Sequence, residues 1–103
     1  MKSTKLAQNG QSTFVLVFDK GDEFISGLNS FAAKNGLGGS HFTAIGAFSD
    51  VMLGYFDRQA KDYRKIPIEE QVEALSLVGD IALKGDSPQV HAHLVAGKAD
   101  GTA

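Results

Sequence analysis

Apolar residues follow two different periods along this chain. Thr13–Asp19 (TFVLVFD) is a continuous apolar run rich in Phe and Val. Such a run predicts a strand covered on both faces, being too short for a buried helix. Lys20-Gly21-Asp22 then breaks the chain, and Phe24, Leu28, Phe31 and Ala32 recur at helical spacing with Ser26, Asn29, Ser30 and Lys34 around the rest of the cylinder. Asp22 is placed to accept from the free amides of the first turn, and Glu23 suits the positive end of the helix. Asn35-Gly36 closes it, because glycine readily takes the left-handed backbone that ends a helix.

After Leu37-Gly38-Gly39 the period becomes that of strands. His41–Phe48 and Val51–Phe56 flank Ser49-Asp50, which reads as a two-residue turn. Asp57–Asp62 is a polar turn, Tyr63–Ile66 a short edge strand, and Pro67 restricts its continuation. Glu69–Glu73 either begins a helix or leads into Ala74–Leu83 (ALSLVGDIAL), which has the pattern of a central strand. Lys84–Pro88 is a turn, Gln89–Ala96 (QVHAHLVA) another strand, and Lys98–Gly101 a turn signal with only Thr102-Ala103 beyond it. Met1–Ser12 is polar throughout and reads as a mobile lead-in, leaving residues 13–103 as the domain. The elements add up to an α+β fold with one principal helix.

Composition narrows the function classes. The 103 residues suit one domain, and 43% apolar with 21% charged residues is an ordinary globular balance. With no cysteine, disulfides, thiolate nucleophiles and Cys-based zinc sites are excluded, and a reducing cytoplasm is the expected location. A net charge of −2 argues against nucleic-acid binding through the overall field, since phosphate contacts need clustered Lys and Arg. The polar first twelve residues hold no apolar run, so neither a signal peptide nor a membrane partner is expected.

His91-Ala92-His93 is the best candidate for chemistry. Alternation along a strand puts both imidazoles on one face, about 6.5–7 Å apart at their α-carbons. Both can converge on one ion at roughly 2.0–2.1 Å per zinc–nitrogen bond. Zinc or another divalent transition metal is the matching cofactor, with carboxylate oxygens able to complete the shell. A pair of hydrogen-bonded surface histidines is the bland alternative. His41 is a weaker candidate, read equally as a strand-end histidine. Asp80 interrupts the apolar run of its strand; it is either a ligand or orienting group, or a solvent-facing residue beside Ser76, and the pattern favours the latter.

Other motifs carry less. Gly36–Gly39 lies after a helix and before a strand, the reverse of the dinucleotide-binding order. There is no Gly-x-Ser-x-Gly elbow, phosphate-loop lysine or zinc-protease motif, and no spacing selects a Ser-His-Asp trio. Arg58, Lys61, Arg64 and Lys65, with Tyr63 among them, form the densest basic stretch. It can contact phosphate, but Asp57 and Asp62 dilute it and a solvated turn explains it as well.

Taken together, Ser40–Asp57 (SHFTAIGAFSDVMLGYFD), Leu75–Leu83 (LSLVGDIAL) and Val90–Leu94 (VHAHL) resemble the plants-and-prokaryotes-conserved (PPC) domain, in order, from about Phe14 to Gly101. The Ala44-Ile45-Gly46-Ala47 core, the Leu53-Gly54-Tyr55 step and the His-X-His pair carry the resemblance jointly. It implies a mainly antiparallel sheet with the helix packed on it, and a trimer. In plants such domains accompany AT-hook DNA-binding segments, and bacterial relatives are often the bare domain. Some similar proteins hold metal, the His-X-His pair being joined by a histidine in a downstream Gly-Gly-His-Leu segment. This chain ends before that segment, so the domain is expected to lack its closing strands. It has Asp80 where the family has asparagine, and no Arg-Gly-Arg-Pro core. The expected function is a trimeric, DNA-associated or regulatory binding module with a divalent metal at His91 and His93, helped by His41 or Asp80. The alternative is a small metal-dependent enzyme at a subunit cleft.

Overall fold

A computed structural model of the chain describes residues 1–8 and 10–103. Its elements are β1 (Lys2–Gln8), β2 (Ser12–Val17), α1 (Phe24–Asn35), β3 (Gly39–Phe48), β4 (Val51–Asp57), β5 (Asp62–Ile68), β6 (Val72–Lys84) and β7 (Ser87–Gly97). Strands β1 and β2 pair antiparallel, as do β4 and β5, and a three-stranded sheet has the order β3-β6-β7. One helix with mainly antiparallel strands is the expected fold class, and Ala74–Leu83 does lie in a central strand.

The chain divides into two compact units. The first comprises residues 1–39 and 81–90. Its buried side chains are Leu28, Phe31, Ala32 and Ile81. Phe14 meets Phe31 edge-on at 5.2 Å, and Phe18 lies 5.2 Å from Phe24. Helix α1 begins at Glu23, whose carboxylate accepts from the amides of Ile25 (3.0 Å) and Ser26 (2.9 Å). Those bonds, the Ser26 one foremost, hold the Glu23 carboxyl below the ordinary glutamate range. The cap expected of Asp22 is therefore made one residue later; Asp22 accepts instead from the Asp19 amide at 2.8 Å. Gly36 ends the helix with φ 65°, as its sequence predicts.

Two expectations for the N-terminal region are corrected. Residues 2–8 form a strand, not a mobile lead-in; Asn9 of that segment lies outside the described residues. Residues 1–6 are all exposed, so through them β1 contributes backbone pairing to β2 rather than burial. A hydrophobic pattern has no means of signalling such a strand. Strand β2, in turn, is covered on one face only: Phe14 and Leu16 are half-buried, whereas Val15 and Val17 are 45% and 56% exposed.

The second unit comprises residues 40–80 and 91–103, with Val72, Ala74 and Leu77 buried. Ser49-Asp50 does not make the expected hairpin, because β3 belongs to the three-stranded sheet and β4 pairs with β5. Strand β5 runs through Pro67, which sits opposite Met52. It is tolerated there because β5 has no second strand neighbour among the described residues, so the missing N–H interrupts no ladder. On β6 the buried alternation slips at Leu75 and Ser76, and Leu77 and Ile81 resume it.

Gly79 is where β6 and β7 come closest. A side-chain carbon there would collide with the carbonyl of His91, and would lie 2.7 Å from the Phe42 ring and 3.0 Å from the α-carbon of Ala92. Gly79→Ala is expected to lower stability by about 1–3 kcal/mol. Gly39→Ala, where the methyl meets nothing, should stay within about 0.5 kcal/mol of wild type. Urea midpoints at unchanged m-value check both.

Glu23 gives a second expectation. A carboxylate whose folded pKa is lowered stabilises fully above the ordinary glutamate range, and that contribution fades as pH falls through the lowered value. Glu23→Ala should therefore cost roughly 0.5–1 kcal/mol at neutral pH, given how exposed the cap is. The difference from wild type should vanish in acid, as read from urea melts at both pH values.

Candidate metal centre and family

Strand β7 alternates cleanly, with odd positions from Ser87 to Val95 exposed and even positions half-buried. Its start is fixed from outside the sheet: the Val90 amide donates to the side-chain oxygen of Asn29 on α1 at 3.1 Å. One residue later comes the close approach at Gly79, which only glycine permits. The two-residue turn Gly85-Asp86 before β7 begins with Gly85 at φ 63°, the sign that a hairpin turn with glycine first demands. Contacts just before the pair and within it thus hold the backbone that presents it.

Both histidines project from the exposed face. Their rings stack, with centroids 5.1 Å apart and planes 28° from parallel. The strand places the α-carbons about 6.5–7 Å apart, so the rings lean toward one another. Neither ring takes part in a hydrogen bond or ion pair among the described residues. Neutral imidazoles with uncommitted nitrogens are donors of the kind that zinc, nickel and copper accept.

The rest of the expected donor set does not gather around them. Among the described residues no three His, Asp or Glu side chains are grouped closely enough to hold a metal ion. His41 is exposed on β3 and Asp80 exposed on β6, and neither completes such a group. No polar or charged side chain is buried among the described residues, so Asp80 is not a desolvated carboxylate. It shares the outward side of β6 with Ser76 and Val78, because the slip at Leu75–Ser76 puts 76, 78 and 80 on the exposed face. A structural zinc takes four ligands, and this chain offers two in place.

A further feature of this unit drew little weight from the sequence. The β4–β5 hairpin carries Tyr55, Phe56 and Tyr63 with 60%, 48% and 59% of their surfaces exposed. Phe56 and Tyr63 meet edge to face at 5.3 Å, and the Arg64 guanidinium lies 5.5 Å from the Tyr55 ring. The signal was present as aromatic residues interleaved with the basic stretch, but periodicity did not say which of them would be covered. No helix among the described residues is long and apolar enough to cross a membrane.

Comparison with known proteins gives this arrangement a setting. A PPC protein from Pyrococcus horikoshii is 32% identical and superposes with a TM-score of 0.79, over 82% of this chain and 59% of its own. A metal-containing protein from Archaeoglobus fulgidus is 33% identical with a TM-score of 0.75, over 79% of this chain and 58% of its own. A candidate DNA-binding protein from Bacteroides thetaiotaomicron is 27% identical with a TM-score of 0.71, over 75% and 54%. The chain therefore spans under two thirds of the length of each of these relatives. No curated protein is a significant match. The model of the Plants and Prokaryotes Conserved (PCC) domain matches residues 5–103, nearly the whole chain, and covers the helix, the central strand and the histidine pair alike. On that match and the shared fold, the chain belongs to the plants-and-prokaryotes-conserved domain family.

Proposed function

We propose that this chain is a binding module that holds a divalent transition metal through His91 and His93 and works in association with nucleic acid. The observation that carries the metal is the stacked, unengaged imidazole pair on the open face of β7. The Archaeoglobus relative, a metal-containing protein, supports it. Since only two donors are in place, the remaining ligands come from a second copy, from further chain or from solvent. His41 and Asp80 enter only if assembly or local movement brings them in. In such a site His91 and His93 orient the ion, which supplies charge and cross-links the groups that complete it.

Assembly is part of the proposal. Ile45, Leu75, Val78 and Val95 are 93%, 59%, 42% and 50% exposed, which is more apolar surface than a lone small unit ordinarily leaves open. Copies of the chain, as a trimer, are the expected cover, in a cytoplasmic setting that suits a cysteine-free chain. Residues 13–103 act as the domain together with β1, which pairs with β2.

Nucleic-acid association is favoured by the Bacteroides relative and by the cations of the β4–β5 hairpin. A metal-dependent enzyme is the competing reading, since a metal with an open position activates water. It requires an acid or base beside the ion, and the described residues bring none to the pair.

Metal is tested by elemental analysis of the purified protein against His91→Ala/His93→Ala. Wild type should retain zinc or another first-row metal through dialysis, and the double variant should lose it. Equal content in the two would reject the site. Nucleic-acid association is tested by titrating binding against salt. Three phosphate contacts predict affinity falling about twenty- to fortyfold between roughly 50 and 200 mM salt, and binding insensitive to salt, or absent at low salt, would remove it.

A further inference from the structure

The β4–β5 hairpin is two-faced, and its register says which residues share each face. Tyr55 lies opposite Arg64, Phe56 opposite Tyr63, Gly54 opposite Lys65 and Met52 opposite Pro67. Directly opposite residues point to the same side, and alternate residues along a strand do too. One face therefore reads Met52, Pro67, Gly54, Lys65, Phe56 and Tyr63. Its aromatic pair is 48% and 59% exposed, and Met52 is 59% exposed. Gly54 keeps it flat: the Tyr63 ring leans over it so closely that an added methyl would stand 3.2 Å from a ring carbon. On the other face Tyr55 lies under the Arg64 guanidinium, and Asp57 and Asp62 end it at the turn.

Charge is unevenly shared as well. This hairpin holds Arg58, Lys61, Arg64 and Lys65, four of the chain's ten basic residues, but only two of its twelve acids. Both acids are occupied locally. Asp57 accepts from the amides of Gln59 (3.0 Å) and Ala60 (3.2 Å) and lies 3.9 Å from Arg64, and Asp62 accepts from the Tyr63 amide. Arg58, Lys61 and Lys65 are exposed and have no acidic partner among the described residues. Rings open to solvent with unpaired cations among them are what unstacked bases and their phosphates require.

We propose that the β4–β5 hairpin is a contact surface for single-stranded nucleic acid, with bases stacking on Phe56 and Tyr63 and phosphates met by Arg58, Lys61 and Lys65. This rests on the nucleic-acid association proposed above and names the surface and the form of the ligand. A duplex hides the faces of its bases, so exposed rings gain little from it, although a two-stranded ribbon can enter a major groove. A two-fold contact between copies through this same face would set its lysines and arginines against one another, which disfavours a face-to-face dimer.

The test is fluorescence anisotropy with a labelled mixed-sequence oligonucleotide of about 12 nucleotides, single-stranded and annealed to its complement. Phe56→Ala/Tyr63→Ala should weaken single-strand binding at least about tenfold, while Tyr63→Phe, which keeps the ring, should bind like wild type. Arg58→Gln/Lys65→Gln should weaken binding and reduce the slope of log K against log salt by about 1.4. Lys5→Gln/Lys34→Gln, the same charge change in the other unit, should leave that slope near wild type. Should the alanine pair fail a circular-dichroism check of folding, the exposed Arg58/Lys65 variant decides. If wild type binds but the hairpin variants bind equally well, the surface is wrong and the association stands. If wild type binds neither form, both readings fall. Tighter binding of the duplex would overturn base stacking. A drop in assembly mass in the ring variant, with oligonucleotide binding unchanged, would make the face a protein contact and overturn the proposal.

Discussion

A sheet strand can present side chains to a ligand only if its backbone is held, and here the hold is a missing side chain. At Gly79 the central strand β6 approaches β7 so closely that the His91 carbonyl and the Ala92 α-carbon occupy the space any other residue would need. The Phe42 ring closes the same spot at 2.7 Å from where a β-carbon would sit. Small displacements at such a contact have no slack to absorb them, since interiors pack at crystal-like density. The two imidazoles one atom layer away inherit that rigidity on their backbone side, while their rings remain unengaged on the other. Were the pair to hold an ion, less ordering would be left to be done when it arrives.

How much of this could be read beforehand depended on whether burial or pairing makes each element. Helix α1 was legible because its apolar positions repeat at the helical period and Gly36 ends it, although the cap itself moved from Asp22 to Glu23. Strands β6 and β7 were legible from their apolar residues too, β7 alternating cleanly and β6 with one slip at Leu75–Ser76. Strand β1 was not, since residues 2–6 are exposed and the strand is seen through its ladder with β2. The assignment of β3 and β4 to different sheets was hidden too: Ser49-Asp50 suits a tight turn whether or not the flanking strands pair.

The candidate site divides along the same line. That His91 and His93 share a face follows from the period of two and needed no structure. Which third group stands near them is a matter of tertiary placement, and spacing along the chain is silent on it. Asp80 shows the difference: its pattern favours a solvent-facing residue beside Ser76, and a one-residue slip at Leu75–Ser76 is what sets the two on one exposed side. The same slip turns Val78 outward, so apolar residues and an acid share one open surface.

That open surface has an energetic consequence. Among the described residues seven apolar side chains are buried, while fifteen large ones are substantially exposed, Ile45 almost wholly. Each fully covered aliphatic side chain contributes on the order of 1.5–3 kcal/mol, and the net stability of a small domain is only about 5–15 kcal/mol. Covering even a few of these side chains would therefore shift stability by an amount comparable to the whole. Whatever covers the surface and binds only the folded form is linked to folding by mass action. A metal shared between His91, His93 and donors outside this chain would act in the same direction, because its binding energy is released only when the β7 face is formed. Were copies of the chain to cover that surface and a metal to join them, folding, assembly and metal occupancy would become coupled equilibria, each felt at the others.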